Sequence, residues 1–234
     1  MAQHFIFTKF NMPGFPGDPH IDPEWLEGRI DLFKKWLLPS MKQQTCQDFK
    51  WIMHCSAKTP LDMIYELSAI ENEYDNLELI YINDENWYPE WLAKIRDRVE
   101  PGDLLTIRID SDDAVLDEFV EITQKGKTTP LEKGHFLSYQ FGVMHNTQTG
   151  KYYARQYPKN PFMTYYETSF SDAPRDIVTV HNRQHCHAEP LNAFCRDLLM
   201  WVQNVHGGNQ GNRYNPPNGK EYDFADISKD YIGE

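Results

Sequence analysis

The stretch LLTIRIDSDDAV, residues 104–115, decides the fold class. Its first half, 104–109, is apolar and contains β-branched residues, which predicts a buried strand. Three carboxylates follow at once: Asp110, Asp112 and Asp113. An apolar strand followed by polar side chains is typical of a parallel sheet that helices cover on both faces. We therefore predict an α/β domain in which this strand ends in an acidic cluster.

Strand and helix patterns alternate along the first half of the chain. The predicted strands are residues 4–10, 49–55, 77–82 and 104–109. The predicted helices are residues 24–41, 59–74, 88–99 and 117–126. This alternation predicts a Rossmann-like half with a mostly parallel, mixed central sheet and helices on both faces.

The pattern changes in the second half of the chain. Residues 134–170 alternate aromatic and polar side chains around TQTG, which predicts antiparallel strands joined by a turn. Residues 190–207 have helical spacing and predict one more helix. We expect a single domain, 1–234, made of a first half (1–126), a second half (127–209) and an irregular tail (210–234).

Composition excludes several classes of partner. The formal net charge of −12 disfavours a nucleic acid or an anionic membrane as the main partner. No run of 18 apolar residues is present, and the first ten residues lack the features of a secretory signal. The expectation is a protein without a transmembrane span, located in the cytoplasm.

The acidic cluster has the composition of a cation site. Ligands of open α/β sheets bind beyond the carboxyl ends of the strands. Asp110 and Asp112, two residues apart, can point to the same side, where their repulsion calls for a cation. Hard oxygen ligands suit Mg²⁺ or Mn²⁺, which complete their shells with water and substrate phosphates. The alternative is a turn followed by helix-capping acids.

Four motifs, in this order, carry a family resemblance. They are FTKFN (7–11), LPSMKQQTCQDFKWIMHC (38–55), RIDSDDA (108–114) and the pattern W-x-x-x-x-HGGN (201–209). Their order and spacing resemble family 2 glycosyltransferases of the GT-A fold, and more closely the rhamnosyltransferase family. The similarity runs over nearly the whole chain, from about Phe7 to Asn209.

The resemblance implies a nucleotide-diphosphate sugar as donor, a carbohydrate or glycoconjugate as acceptor, and Mn²⁺ or Mg²⁺ as cofactor. Residues 1–126 would bind the donor, and residues 127–209 would face the acceptor. Asp113 would be the direct metal ligand, while Asp112 and Asp110 would contact the metal's waters or the ribose and sugar of the donor.

The resemblance also implies a histidine ligand from far downstream and donor contacts at Thr8 and Lys9, where the family more often has arginine. The candidate histidines are His181, His185, His187 and His206. We favour His206, because the glycines beside it let the backbone approach phosphates closely.

Sugar transfer requires charge stabilisation of the departing diphosphate and removal of a proton from the acceptor hydroxyl. The candidates for the first role are Lys9, Arg108, Arg155 and Arg183. Glu167 and Asp172 are candidates for the second, because they lie in an aromatic stretch suited to stacking on a sugar ring. Glu167 is the preferred base.

Two other functions are compatible with the same residues. A metal-dependent phosphohydrolase acting on nucleotide sugars also uses acidic clusters at strand ends to bind its metal. A non-catalytic carbohydrate-binding protein on a GT-A scaffold is the other alternative.

Overall fold

The computed structural model describes residues 2–14, 17–125, 135–169, 190–193, 199–209 and 213–223. The strands in these ranges are β1 (Gln3–Lys9), β2 (Lys50–Ser56), β3 (Leu77–Ile82), β4 (Gly102–Arg108), β5 (Ala114–Val115), β6 (His135–Tyr139), β7 (Phe141–Asn146), β8 (Lys151–Gln156), β9 (Thr164–Ser169), β10 (Pro190–Ala193) and β11 (Trp201–Val205). The α-helices are α1 (Pro23–Leu32), α2 (Leu38–Lys42), α3 (Leu61–Asn72), α4 (Trp87–Arg96) and α5 (Phe119–Lys125).

The larger sheet has seven strands in the order β10-β6-β9-β4-β1-β2-β3. Strands β1 to β4 are parallel, with Phe7 opposite Arg108 and Lys9 opposite His54. Strand β9 runs antiparallel to its neighbours β4 and β6. This register brings the carboxyl ends of β1, β2 and β4 to the same edge of the sheet. The predicted α/β fold with a mostly parallel, mixed sheet is confirmed.

Helices cover both faces of this sheet, as the apolar strands require. Residues of α1, α2 and α3 share one core cluster with Trp51, whose ring lies 5.7 Å from that of Phe33. Helix α4 packs on the other face, where Trp91 makes an edge contact with Phe7 at 5.1 Å between ring centroids. No helix in the described ranges has the length and hydropathy needed to cross a lipid bilayer.

The first helical segment forms one wall of the site described below. Asp22 caps it by accepting the backbone N–H of Trp25 at 3.0 Å, and Pro23 occupies its first turn. A π-helical turn, Phe33–Leu37, joins α1 to α2 without a break in the helical backbone. The predicted helix at 24–41 is therefore confirmed in extent, with one irregular turn inside it.

The second sheet has four strands in the order β5-β11-β7-β8. The antiparallel strands predicted within 134–170 are confirmed by the β7–β8 hairpin and by β6 and β9. Gly150, at φ 69°, provides the left-handed residue that the turn of this hairpin needs.

The predicted helix at 190–207 is wrong. The chain forms β10 and β11 in the described parts of this segment, and β11 pairs in parallel with β7. Trp201 is fully buried there, and its indole N–H donates to the carbonyl of Tyr139 at 2.8 Å. The local spacing of apolar residues matches a helix. Pairing with β7, some sixty residues earlier in the chain, instead provides the backbone hydrogen bonds of this segment and buries the tryptophan.

A buried histidine in β1 makes stability depend on pH. Burial lowers the pKa of His4 to about 3. Because the unfolded chain binds this proton near pH 6.5 and the folded chain does not, stability falls as the pH drops below 6.5. Between pH 7 and pH 5.5 His4 should contribute a loss of about 1 kcal/mol.

The matched variant is His4→Gln, which does not titrate. Urea unfolding at pH 7 and pH 5.5 should show that this variant loses about 1 kcal/mol less on acidification than the wild type does. Equal losses in the two proteins would contradict the assignment.

Candidate functional site

A cavity of about 480 Å³ opens at the edge of the sheet where β1 and β4 end. Helix α1 forms one wall, and the residues at and after the ends of β1, β4 and β11 form the rest. The charged or aromatic residues of the lining that matter most are Lys9, Trp25, Arg29, Asp110, Asp112 and His206. The position agrees with the rule that ligands bind beyond the carboxyl ends of parallel strands.

Asp112 is one of the acids that line this cavity. One of its carboxylate oxygens, Oδ2, lies 2.9 Å from Nε2 of His206 and 3.2 Å from Nη1 of Arg29. Burial alone would raise the pKa of this carboxyl, but the hydrogen bond from His206 and the charge of Arg29 hold it below its usual range. Asp112 is therefore an ionised acid on the cavity wall.

Asp113 faces away from the cavity. Its side chain is buried, and Oδ1 accepts the backbone N–H of Asn204 at 2.9 Å. Burial, together with repulsion from Asp112 and Asp110, raises the pKa of Asp113 well above its usual range. The residue that the resemblance implies as direct metal ligand thus binds the second sheet, and Asp112 has the cavity position instead.

Replacing Asp113 tests this structural role. Asp113→Asn keeps an acceptor for the Asn204 N–H and should leave stability equal to or above that of the wild type. Asp113→Ala leaves that N–H buried without a partner and should cost about 1–3 kcal/mol. Thermal and urea unfolding of the two variants measure the difference. A loss of stability in Asp113→Asn as large as in Asp113→Ala would contradict the role.

Asn204 holds the acidic turn in place, and sequence reasoning missed it. Its side-chain amide donates to the carbonyl of Asp112 at 2.6 Å, and its Oδ1 lies 2.7 Å from Nδ1 of His145. The residue is fully buried. An asparagine within a predicted helix gives no signal of this role, which depends on β11 lying beside the turn.

His206 joins Asp112 because β11 ends beside the acidic turn. The backbone N–H of Gly208 donates to Nδ1 of His206 at 3.2 Å. With Nδ1 as acceptor, neutral His206 carries its proton on Nε2 and donates it to Asp112. The histidine favoured from the sequence is thus brought to the acids, whereas His181, His185 and His187 lie outside the described residues.

The spacing of Asp112 and His206 is that of a hydrogen bond and is also compatible with two adjacent ligands of a divalent cation. Adjacent ligands of an octahedral ion with bonds of about 2.1 Å lie about 3.0 Å apart, close to the 2.9 Å between Oδ2 and Nε2. Ligation by Nε2 would require the other tautomer, with the proton on Nδ1, and the hydrogen bond from the Gly208 N–H would then be lost. Within the described part of the chain no set of three or more His, Cys, Asp or Glu groups could hold an ion. Water and substrate phosphates would complete the shell, as Mg²⁺ commonly requires.

The predicted donor-binding residues divide into two groups. Lys9 lines the cavity, where burial lowers its pKa and its Nζ donates to the carbonyl of Pro13 at 3.2 Å. Asp110 also lines the cavity and forms an ion pair with Arg108 at 3.4 Å. Thr8 instead is fully buried, and its hydroxyl donates to the carbonyl of Ile109 at 2.9 Å. It joins β1 to the end of β4 and does not line the cavity.

Glu167, the predicted base, is not brought to the acids. It lies in β9 opposite Leu104, near the start of β4, whereas the cavity is at the end of that strand. Four residues of strand, about 13 Å, separate Leu104 from Arg108. Asp172, the other candidate, lies outside the described residues. The prediction rested on the aromatic residues around Glu167. The antiparallel pairing of β9 with β4 places Glu167 away from the edge where β4 ends.

Arg29 is the second residue of the cavity that sequence reasoning missed. Its guanidinium lies over the ring of Trp25, at 5.6 Å from the centroid, and its side chain is one-fifth exposed. Its position in an amphipathic helix resembles that of an ordinary solvated arginine. Only the packing of α1 against the edge of the sheet shows that it faces Asp112.

Comparison with known proteins identifies the family. A family model described as "Putative rhamnosyl transferase" matches residues 20–217. The chain belongs to this family. The resemblance inferred from the four motifs is thereby confirmed, and family membership supports glycosyl transfer. No curated protein matches the chain.

Solved structures of S. aureus TarS are also similar to the chain. TarS 1-349 in complex with UDP has 11% identity and a TM-score of 0.46, with 88% of this chain and 61% of that one covered. TarS 1-349 has 12% identity and a TM-score of 0.36, with 62% and 35% covered. A further TarS structure has 12% identity and a TM-score of 0.34, with 62% and 21% covered. The chain therefore spans between 21% and 61% of the length of these structures.

Proposed function

We propose that this protein transfers a sugar from a nucleoside-diphosphate donor, bound in the cavity with Mn²⁺ or Mg²⁺, to a hydroxyl of a carbohydrate acceptor. The observation that carries the proposal is the Asp112–His206 pair on a cavity wall that also presents Lys9. An anionic donor needs positive charge, and a cation on the acidic pair together with the lysine would provide it. The family's description adds the transfer of a rhamnosyl group.

Each residue of the cavity has a distinct role in this proposal. Asp112 and His206 would hold the cation, which when bound stabilises negative charge on the departing diphosphate. Lys9 adds a second positive charge from the end of β1. Asp110, whose carboxylate is one-third exposed, is placed to accept hydrogen bonds from the ribose or sugar hydroxyls of the donor.

The binding step can be tested with nucleotides alone. Calorimetry with UDP, GDP and dTDP, each with and without Mn²⁺, should show binding of at least one nucleotide that depends on the metal. Absence of binding by all three would overturn the proposal. Binding of free sugars without any nucleotide would favour the carbohydrate-binding alternative.

The reaction class can be tested with donors in the absence of acceptor. The donors to test are sugars linked to whichever nucleotide binds, including a rhamnose donor. The protein should release sugar from them slowly and leave the nucleoside diphosphate intact. Rapid breakdown of the diphosphate itself would favour the phosphohydrolase. Transfer to a panel of sugar acceptors then measures the proposed activity directly.

A further inference from the structure

Arg29 lies on the cavity wall and contacts the acid proposed to hold the cation. Its Nη1 is 3.2 Å from Oδ2 of Asp112, the same oxygen that faces Nε2 of His206. The side chains of Arg29 and Asp112 are only 20% and 8% exposed, so little solvent reaches the ion pair. An ion pair this shielded is screened weakly by solvent.

Helix α1 holds the guanidinium at this place. Leu26 and Ile30 are buried in the core on either side of it in sequence, which anchors the helix. Trp25 supports the guanidinium from one side at 5.6 Å. Gly28 also lines the cavity, and a Cβ built there meets no atom within 4 Å, so the space beside Arg29 is open.

The contact conflicts with a cation on the same oxygen. An ion bound to Oδ2 at about 2.1 Å would lie within about 5 Å of Nη1, and the two positive charges would repel. The conflict is relieved if Arg29 turns from Asp112 towards a negatively charged group that enters with the ion. A guanidinium has five N–H donors in a fork that matches phosphate oxygens.

We infer that Arg29 exchanges partners during donor binding. Without a donor it neutralises Asp112. When the cation occupies Asp112 and His206, Arg29 moves to the diphosphate and binds it from the α1 side. The inference rests on the proposed function and deepens it, because it adds Arg29 to the metal and Lys9 as a positive charge that binds the diphosphate.

The exchange predicts two opposite effects of one substitution. Arg29→Gln should weaken binding of the nucleoside diphosphate in the presence of Mn²⁺ by about tenfold or more, since a charged hydrogen bond is lost. The same variant should bind Mn²⁺ alone several-fold more tightly, because the cation that competes for Asp112 is gone. A residue that only supports the fold would not change the two affinities in opposite directions.

Calorimetry with UDP, GDP or dTDP and electron paramagnetic resonance titration of Mn²⁺ measure the two affinities. Lys34→Gln is the matched control, because it removes one positive charge from the same helical segment at a half-exposed pair with Glu66. It should change neither affinity. Arg29→Lys keeps the charge and should retain nucleotide binding better than Arg29→Gln, and it serves as the second variant if the glutamine variant does not fold.

Unchanged nucleotide affinity in Arg29→Gln would overturn the inference, and so would weakened nucleotide binding without tighter Mn²⁺ binding. Either result leaves the proposed function intact as long as the wild type binds a nucleotide with Mn²⁺. If the wild type binds none of the three nucleotides, the proposed function itself fails.

Discussion

Asp112→Asn is expected to abolish Mn²⁺-dependent nucleotide binding and to lower kcat/KM for sugar transfer by about 10³-fold. The amide removes the charge that would hold the cation but keeps the size of the side chain. It also removes the ionic partner of Arg29 and alters the acceptor of the His206 hydrogen bond. The loss should appear in the affinity for the metal and in the rate of transfer at once.

The measurements are Mn²⁺ titration, calorimetry with the nucleotide, and initial rates over a range of donor concentrations. Asp113→Asn is the control, because it changes the neighbouring carboxylate in the same way, but that carboxylate binds the Asn204 N–H outside the cavity. It should retain metal and nucleotide binding. The opposite outcome, with Asp113→Asn inactive and Asp112→Asn active, would indicate that Asp113 is the metal ligand, as the resemblance implies.

Gly142→Ala is expected to destabilise the fold by about 3 kcal/mol and to impair the site from a distance. A Cβ at this position would lie 2.0 Å from Cδ2 of Trp201, far inside van der Waals contact. The indole is held from two other sides, by its hydrogen bond to the Tyr139 carbonyl and by stacking on Phe162 at 5.3 Å. Since it has little room to move, β7 and β11 must separate.

Displacement of β11 reaches the cavity because the strand carries Asn204 and leads to His206. Chemical unfolding measures the stability, and Mn²⁺ titration at a temperature where the variant is folded measures the effect on the site. Gly28→Ala is the control: a Cβ there meets nothing within 4 Å, and the position lies inside α1. It should stabilise the protein by about 0.5–1 kcal/mol. An unchanged unfolding midpoint in Gly142→Ala would show that the two strands are not packed as described.

Local patterns were sufficient for the first half of the fold. The apolar runs of β1 to β4 and the helical spacing of α1 to α5 are properties of short segments, so their order predicts a parallel sheet without knowledge of distant contacts. The segment 190–207 was different. Its apolar spacing matches a helix, but Trp201 fills the space above Gly142 in another strand, and no local pattern reports that contact.

The candidate site was predicted in composition but not in geometry. The acidic cluster and His206 lie together, as expected from the motifs. Glu167 does not join them, because the antiparallel pairing of β9 with β4 determines which end of the sheet it reaches. Arg29 was missed because a charged residue between the buried positions of an amphipathic helix gives no sign of its partner.

The sequence by itself determined that this protein has an α/β sheet with an acidic turn at the carboxyl end of a central strand, because strand and helix periodicity are local. Only the tertiary structure decided which aspartate faces the cavity. Asp113 turns inward to Asn204, a residue 91 positions further along the chain, and Asp112 is thereby left beside His206 and Arg29. Strand β11 determines this orientation, because the buried backbone N–H of Asn204 needs an acceptor and Asp113 provides one.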